Sequence, residues 1–150
     1  IGRPHIADAL IAKGLVQDRA EAFSSILRPG GDYYVALYAP DPVTAVELIA
    51  GAGGVSVIAH PAGRAGLLPK RVLDRMLAAG LGGFELAHRE NLEGGVRTLR
   101  GIAEERDLIV TGSSDYHGLG KPNLPGENTT SDEMVAKIIA RATGSAPVHP

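Results

Sequence analysis

The sequence contains no cysteine, which excludes disulfides and thiolate metal sites, so any metal must be held by nitrogen and oxygen ligands. It has no large excess of either charge: the formal net charge is −2 and the pI is near 6.2. A long polyanion therefore has no reason to bind over the whole surface, and any phosphate recognition must be local. No apolar run approaches a membrane span, and no signal-like segment follows Ile1. With the missing cysteine, this composition suits the cytoplasm. There is no internal repeat and no collagen-like period. The first residue is not Met, from which we expect further residues to precede it.

What is present is enough for one domain with a real core: 150 residues, of which 44% are hydrophobic. The 20 glycines and 10 prolines fall between apolar runs, as short loops closing many elements require. IADALIAKGL (6–15) sets Ala7, Leu10, Ile11 and Leu15 on one helical face, and AEAFSSIL continues in helical style up to the Pro29-Gly30-Gly31 break. From Asp41 the character changes. Asp41 suits a helix N-cap with Pro42 in the first turn, and that helix ends at the glycines 51–54. VSVIAH (55–60) has the β-branched, apolar character of a strand buried on both faces. A helix over 69–79, a strand GFELAH (83–88), a helix with the stripe Leu92, Val96, Leu99, Ile102 and Ala103, and a strand DLIVTG (107–112) follow. Thr130 and Glu133 have the spacing of a capping box before Met134, Val135, Ile138 and Ile139. Alternation of this kind predicts an α/β fold of parallel strands with helical crossovers.

Function in parallel α/β architectures gathers at the carboxyl ends of the strands. His60 ends the first strand, His88 ends the second, and Asp115 and His117 follow the third in VTGSSDYHG, whose small residues leave room for a ligand. Each has a plainer alternative. His60 before Pro61 suits a turn hydrogen bond, Asp115 an Asx-turn, and His88 beside Arg89 and Glu90 a surface position. His5 suits a capping role, although Arg3 beside it makes an anion site conceivable, and His149 in the tail GSAPVHP reads as inert. Arg3, Arg64 and Lys121 are the basic residues nearest these motifs and the candidates for holding a phosphate; a solvated surface charge is the other reading of Arg64.

Taken in order, GRPHIADAL, VSVIAHPAGR, GFELAH and TGSSDYHG followed by KP resemble the C-terminal half of a PHP (polymerase and histidinol phosphatase) superfamily protein, specifically its stand-alone metal-dependent phosphoesterases. The match covers nearly the whole chain. The resemblance implies part of a distorted β/α barrel over 41–150, preceded by a small helical insertion over 1–40 that caps it. It also implies up to three divalent ions at the carboxyl ends of the strands, with His60, Asp115 and His117 as ligands and Arg3 and His5 near substrate. Carboxylate oxygen with imidazole nitrogen points to Mn, Fe or Zn. Arg64, His88 and Lys121 complete the expected substrate-binding residues. The family's first-half ligands, a His-x-His pair among them, do not occur in these residues, and Ala87 and Arg89 stand where relatives tend to have Tyr and Pro.

The implied function is hydrolysis of phosphate esters by a metal-bridging hydroxide, with a 3′,5′-bisphosphonucleotide or short 5′-phosphorylated RNA as substrate. A histidinol-phosphatase-like phosphomonoesterase is the alternative. An inactive fragment serving as a folding or association module is the reading from another class. The isolated chain is expected to be inactive, and oligomeric or paired with its missing half.

Overall fold

A computed structural model describes residues 2–118, 121–146 and 148; His149 lies outside the described residues. The chain divides into two compact units, Ile1–Ala39 and Pro40–Pro150.

The first unit contains α1 (Arg3–Ala12) and α2 (Arg19–Ser24). Ala7, Val16 and Ala22 form its small core, flanked by Leu10, Ile11, Phe23, Ile26 and Leu27. The first helix lies earlier than the expected 6–15. Pro4 fits the first turn, where no N–H is needed, and Gly14 ends the helix at φ +68°. The Leu15 N–H then bonds back to the Leu10 carbonyl at 3.0 Å. Leu15 is thus past the helix end and 60% exposed, not part of its apolar face. Asp18 caps α2 through the Glu21 N–H at 2.8 Å, and Arg19 grips Asp8 with two hydrogen bonds of 2.6 and 2.7 Å.

In the second unit α3 (Pro42–Gly51), β1 (Val57–Ile58), α4 (Lys70–Ala78), β2 (Gly83–Ala87), α5 (Glu93–Glu105), β3 (Ile109–Gly112) and α6 (Asp132–Arg141) alternate as the pattern predicts. The strands form one parallel sheet in the order β1-β2-β3. Asp41 caps α3 by accepting the Val43 N–H at 3.0 Å. Phe84 and Ile109 are fully buried in the sheet, and Leu73, Met76, Leu86, Leu99 and Ala103 share one core cluster with Phe84. Gly83 is required where β2 meets β3, because a Cβ there would lie 2.1 Å from the Ile109 carbonyl oxygen.

Three expectations need correction. VSVIAH pairs only over Val57–Ile58 and is half-buried: β1 is an edge strand with one partner among the described residues, so one side of it lacks the cover that a central strand has. Leu92 precedes α5 as its N-cap and is exposed, so the buried stripe rests on Leu99 and Ala103. The cap of α6 is Ser131, whose side chain accepts the Met134 N–H at 3.4 Å. Thr130 is used elsewhere: its Oγ1 accepts the Gly112 N–H at 3.0 Å and donates to the Gly112 carbonyl at 3.1 Å, holding the end of β3.

Candidate metal and phosphate site

Because the three strands are parallel, their carboxyl ends lie on one side of the sheet, and the segments after them bring the candidate side chains together. Glu85 on β2 joins them. Its Oε2 accepts the His60 N–H at 2.9 Å and its Oε1 accepts the Ser113 hydroxyl at 2.7 Å, so one carboxylate spans the ends of all three strands. Asn91 adds a second brace by donating to the Glu85 and Leu86 carbonyls and accepting the Ala62 N–H at 2.9 Å. His60 adopts φ +31° and Asp115 φ +49°, left-handed conformations uncommon for residues other than glycine, although Asp and His enter them more readily than most.

Asp115 is the hub of the polar cluster. Its Oδ2 lies 2.5 Å from Lys121 Nζ and 4.0 Å from His88 Nε2, and its Oδ1 lies 3.4 Å from His117 Nδ1. The hydrogen bond from Lys121 is the main reason the Asp115 carboxyl is held below its ordinary range, and the same bond raises the Lys121 ammonium. Asp115 therefore stands ionised. The ring of His117 has a defined role for each nitrogen. Nδ1 lies 2.7 Å from the Asp115 carbonyl, which can only accept, so Nδ1 carries a proton and, in the neutral ring, Nε2 presents a lone pair. Metal-binding histidines are commonly oriented by this kind of bond.

His88 differs from the surface reading of its sequence context, because its side chain has no exposed area. The apolar strand before it ends inside the sheet, and its ring stacks on that of His60 at 4.9 Å between centroids, inclined by 34°. Lys121 also reaches Glu90 at 3.4 Å, and Asn123 is buried, donating to the Ser114 carbonyl at 2.6 Å.

Beside this cluster an open cleft of about 870 Å³ is lined by residues including His60, Arg64, Arg89, Glu90 and Lys121. Arg89 is engaged by Glu127 through two hydrogen bonds of 2.8 and 3.0 Å; this guanidinium, with the Leu124 N–H, lowers the Glu127 carboxyl to about 2. Arg64 is exposed and makes no ion pair among the described residues. Arg3 and His5 belong to the first unit. There Arg3 donates to the Leu27 carbonyl and lies 5.0 Å over the Phe23 ring, and His5 Nδ1 accepts the Gly2 N–H at 3.0 Å, a capping role.

The donor set fits a divalent ion in kind and only partly in number. The Asp115 carboxylate and the His117 imidazole stand side by side after β3, and the His60 imidazole follows β1. Among the described residues, however, no three His, Asp or Glu side chains are grouped to hold an ion. Sequence reasoning missed Glu85, Asn91 and Asn123, and gave Thr130 a capping role in place of its bonds to Gly112. Glu85 left a signal, as the one acid inside the apolar run GFELA; Asn91 and Asn123 left none.

No family model matches the chain. It is 34% identical over 125 residues to a 3′,5′-nucleoside bisphosphate phosphatase of Chromobacterium violaceum, spanning 81% of this chain and 43% of that protein. It is 31% identical over 119 residues to a 5′-3′ exoribonuclease of Haemophilus influenzae, spanning 78% and 43%. Among solved structures it resembles a protein of Bifidobacterium adolescentis assigned as a metal-dependent phosphoesterase, with TM-score 0.85 and 43% identity over 95% of this chain and 51% of that one. An amidohydrolase of Chromobacterium violaceum with bound sulfate and no metal is similar at TM-score 0.68 and 31% identity, over 94% and 51%. The chain thus spans about half the length of the relatives it matches. Two of these relatives are named a phosphatase and a metal-dependent phosphoesterase, and the α/β arrangement of helices on a parallel sheet is shared with the two solved structures.

Proposed function

We propose that this chain is the C-terminal half of a PHP-type, metal-dependent phosphoesterase, with residues 41–150 as part of a β/α barrel and 1–40 as a helical cap. The observation that supports the reading is the placement of Asp115 beside His117, and of His60 against His88, at the carboxyl ends of parallel strands, next to a cleft lined by Arg64, which makes no ion pair among the described residues. Asp115, His117 and His60 would contribute ligands to Mn, Fe or Zn ions, and the half not present here would supply the rest. Bound there, such ions lower the pKa of water and neutralise phosphoryl charge. The chain's own residues bind and orient. Arg64, which lines the cleft, would take a phosphate oxygen, Lys121 would be a second cation if Asp115 engages a metal, and Glu85 holds the backbone of His60.

The substrate would be a 3′,5′-bisphosphonucleotide or a short 5′-phosphorylated RNA, as the names of the relatives suggest. Leu48, Ile49, Val135 and Ile139 are exposed on α3 and α6, which supports an apolar surface that another chain or half would cover. No helix among the described residues is long and apolar enough to cross a membrane. The test is phosphate release in added Mn²⁺ from a 3′,5′-bisphosphonucleotide, a 5′-phosphorylated oligoribonucleotide and histidinol phosphate, using the full-length protein and the 150-residue chain. Turnover of the first two by the full-length protein alone is expected. Preference for histidinol phosphate, or full activity in the 150-residue chain, would overturn the reading.

A further inference from the structure

Among the described residues, His88 Nε2 is the buried side-chain atom left without a hydrogen-bond partner. A buried polar atom in that state calls for an explanation, since an apolar ring would stack on His60 equally well without the cost. The other nitrogen decides its chemistry. Nδ1 accepts the Glu90 N–H at 3.2 Å, so the ring proton is on Nε2, the opposite tautomer to that of His117. Nε2–H is therefore a donor and not a ligand nitrogen. With no exposed area, the side chain also has no direct path to a substrate in the cleft. The acceptor nearest in kind is Asp115 Oδ2 at 4.0 Å, an oxygen presently held by Lys121 at 2.5 Å.

We propose that His88 is a positioning residue for Asp115: its Nε2–H is held in reserve to hydrogen-bond Oδ2 when a divalent ion replaces Lys121 on that carboxylate. This rests on the reading of Asp115 as a metal ligand. With an ion on Asp115, Lys121 would lose part of its hold on Oδ2, and a shift of about 1 Å from the present 4.0 Å would bring Oδ2 within hydrogen-bond reach of Nε2. The bond fixes the rotamer of the carboxylate and meets the unsatisfied donor at the same time. Through the ring stack, the same imidazole supports His60, so one buried side chain steadies two of the three proposed ligands.

The test is Mn²⁺ binding by calorimetry in the full-length protein, comparing parent, Asp115→Asn, His88→Phe and His88→Gln, with thermal unfolding of each. Asp115→Asn should remove most of the binding. His88→Phe, which keeps a ring but no donor, should weaken Mn²⁺ about tenfold or more, as loss of an outer-shell partner does. His88→Gln, whose amide N–H can stand near the Nε2 position, should recover most of that loss. Unchanged binding in Asp115→Asn would remove the metal reading and this inference with it. Loss in Asp115→Asn with parent-like His88→Phe would remove this inference alone, as would equal losses in Phe and Gln, which would mark a packing role. A readout without substitution guards against misfolded variants. In the ¹⁵N spectrum of the parent imidazoles, His88 should be the Nε2–H tautomer, and its Nε2–H proton should move downfield when Zn²⁺ is added. An Nδ1–H tautomer, or no response to Zn²⁺, would overturn the proposal.

Discussion

The two ends of β3 carry the same residue in nearly the same backbone conformation. Asp107 precedes the strand at φ +53° and Asp115 follows it at φ +49°. Both carboxyls are held below their ordinary range by a lysine hydrogen bond, from Lys137 and Lys121 respectively. Their surroundings differ. Asp107 is an exposed side chain met by Lys137 at 2.5 Å and Arg141 at 2.9 Å, two cations on α6 that tie the last helix to the sheet. Asp115 has one cation, one histidine that turns its Nδ1 toward the Asp115 carbonyl, and one buried histidine whose Nε2 has no partner among the described residues. Backbone strain and a lowered carboxyl pKa are thus not by themselves signs of a site. Incomplete satisfaction among clustered donors is the sign, because ordinary ion pairs leave no buried group waiting.

The widest separation between the two ends is expected in turnover. Asp115→Asn should lower phosphate release by more than about a hundredfold, exceeding what the loss of an outer-shell partner costs. Asp107→Asn should stay within about twofold, since surface ion pairs carry little. Steady-state kinetics in Mn²⁺ on both variants checks this, and equal losses would erase the contrast. Next comes Glu85→Ala, which leaves the His60 N–H and the Ser113 hydroxyl without their acceptor. Denaturant unfolding should show a loss of about 2 kcal/mol, the scale of hydrogen bonds to a charged group. Thr130→Val should cost about 1 kcal/mol by removing both bonds to Gly112, and Ser131→Ala about 0.5 kcal/mol, because its cap bond is long. The reverse order would reinstate Thr130 as the cap.

The smallest effect concerns pH. Glu127 has its folded pKa depressed from 4.5 to about 2, chiefly by Arg89, so its contribution to stability is fully present above pH 4.5 and is lost as pH falls toward 2. Asp107 and Asp115, lowered from 3.8, act in the same direction below that value. Glu127→Gln should flatten part of the acid slope of the unfolding midpoint in low salt, and high salt should shrink the difference because the Arg89–Glu127 pair lies at the surface.

Much of the frame was legible in the sequence. Asp41-Pro42 announces a helix start by local chemistry alone, and the alternation of elements dictates parallel strands whose ends gather His60, His88 and Asp115. Less could be read where one residue serves a distant partner. Thr130 and Ser131 both look like caps, and what separates them is Gly112, 18 positions away, with its free N–H and carbonyl. VSVIAH has a central-strand composition, but how many partners a strand has is a property of the whole sheet. His88 between Ala87 and Arg89 has a surface-like context, and its burial against the ring of His60 depends on how the strand ends pack. Glu85 was visible as an acid in an apolar strand, yet its role as the common acceptor for β1 and β3 depends on register.

The most direct measurement of the central claim is anomalous diffraction at the Mn edge from crystals of the full-length protein grown with Mn²⁺. The account predicts a peak at the carboxyl ends of the strands, within about 2.0–2.2 Å of Asp115 oxygen and histidine nitrogen, with His117 Nε2 among the ligands and Lys121 moved off Asp115. A peak at the Asp107 end of β3, or none near Asp115 under conditions where the protein hydrolyses phosphate esters, would contradict it.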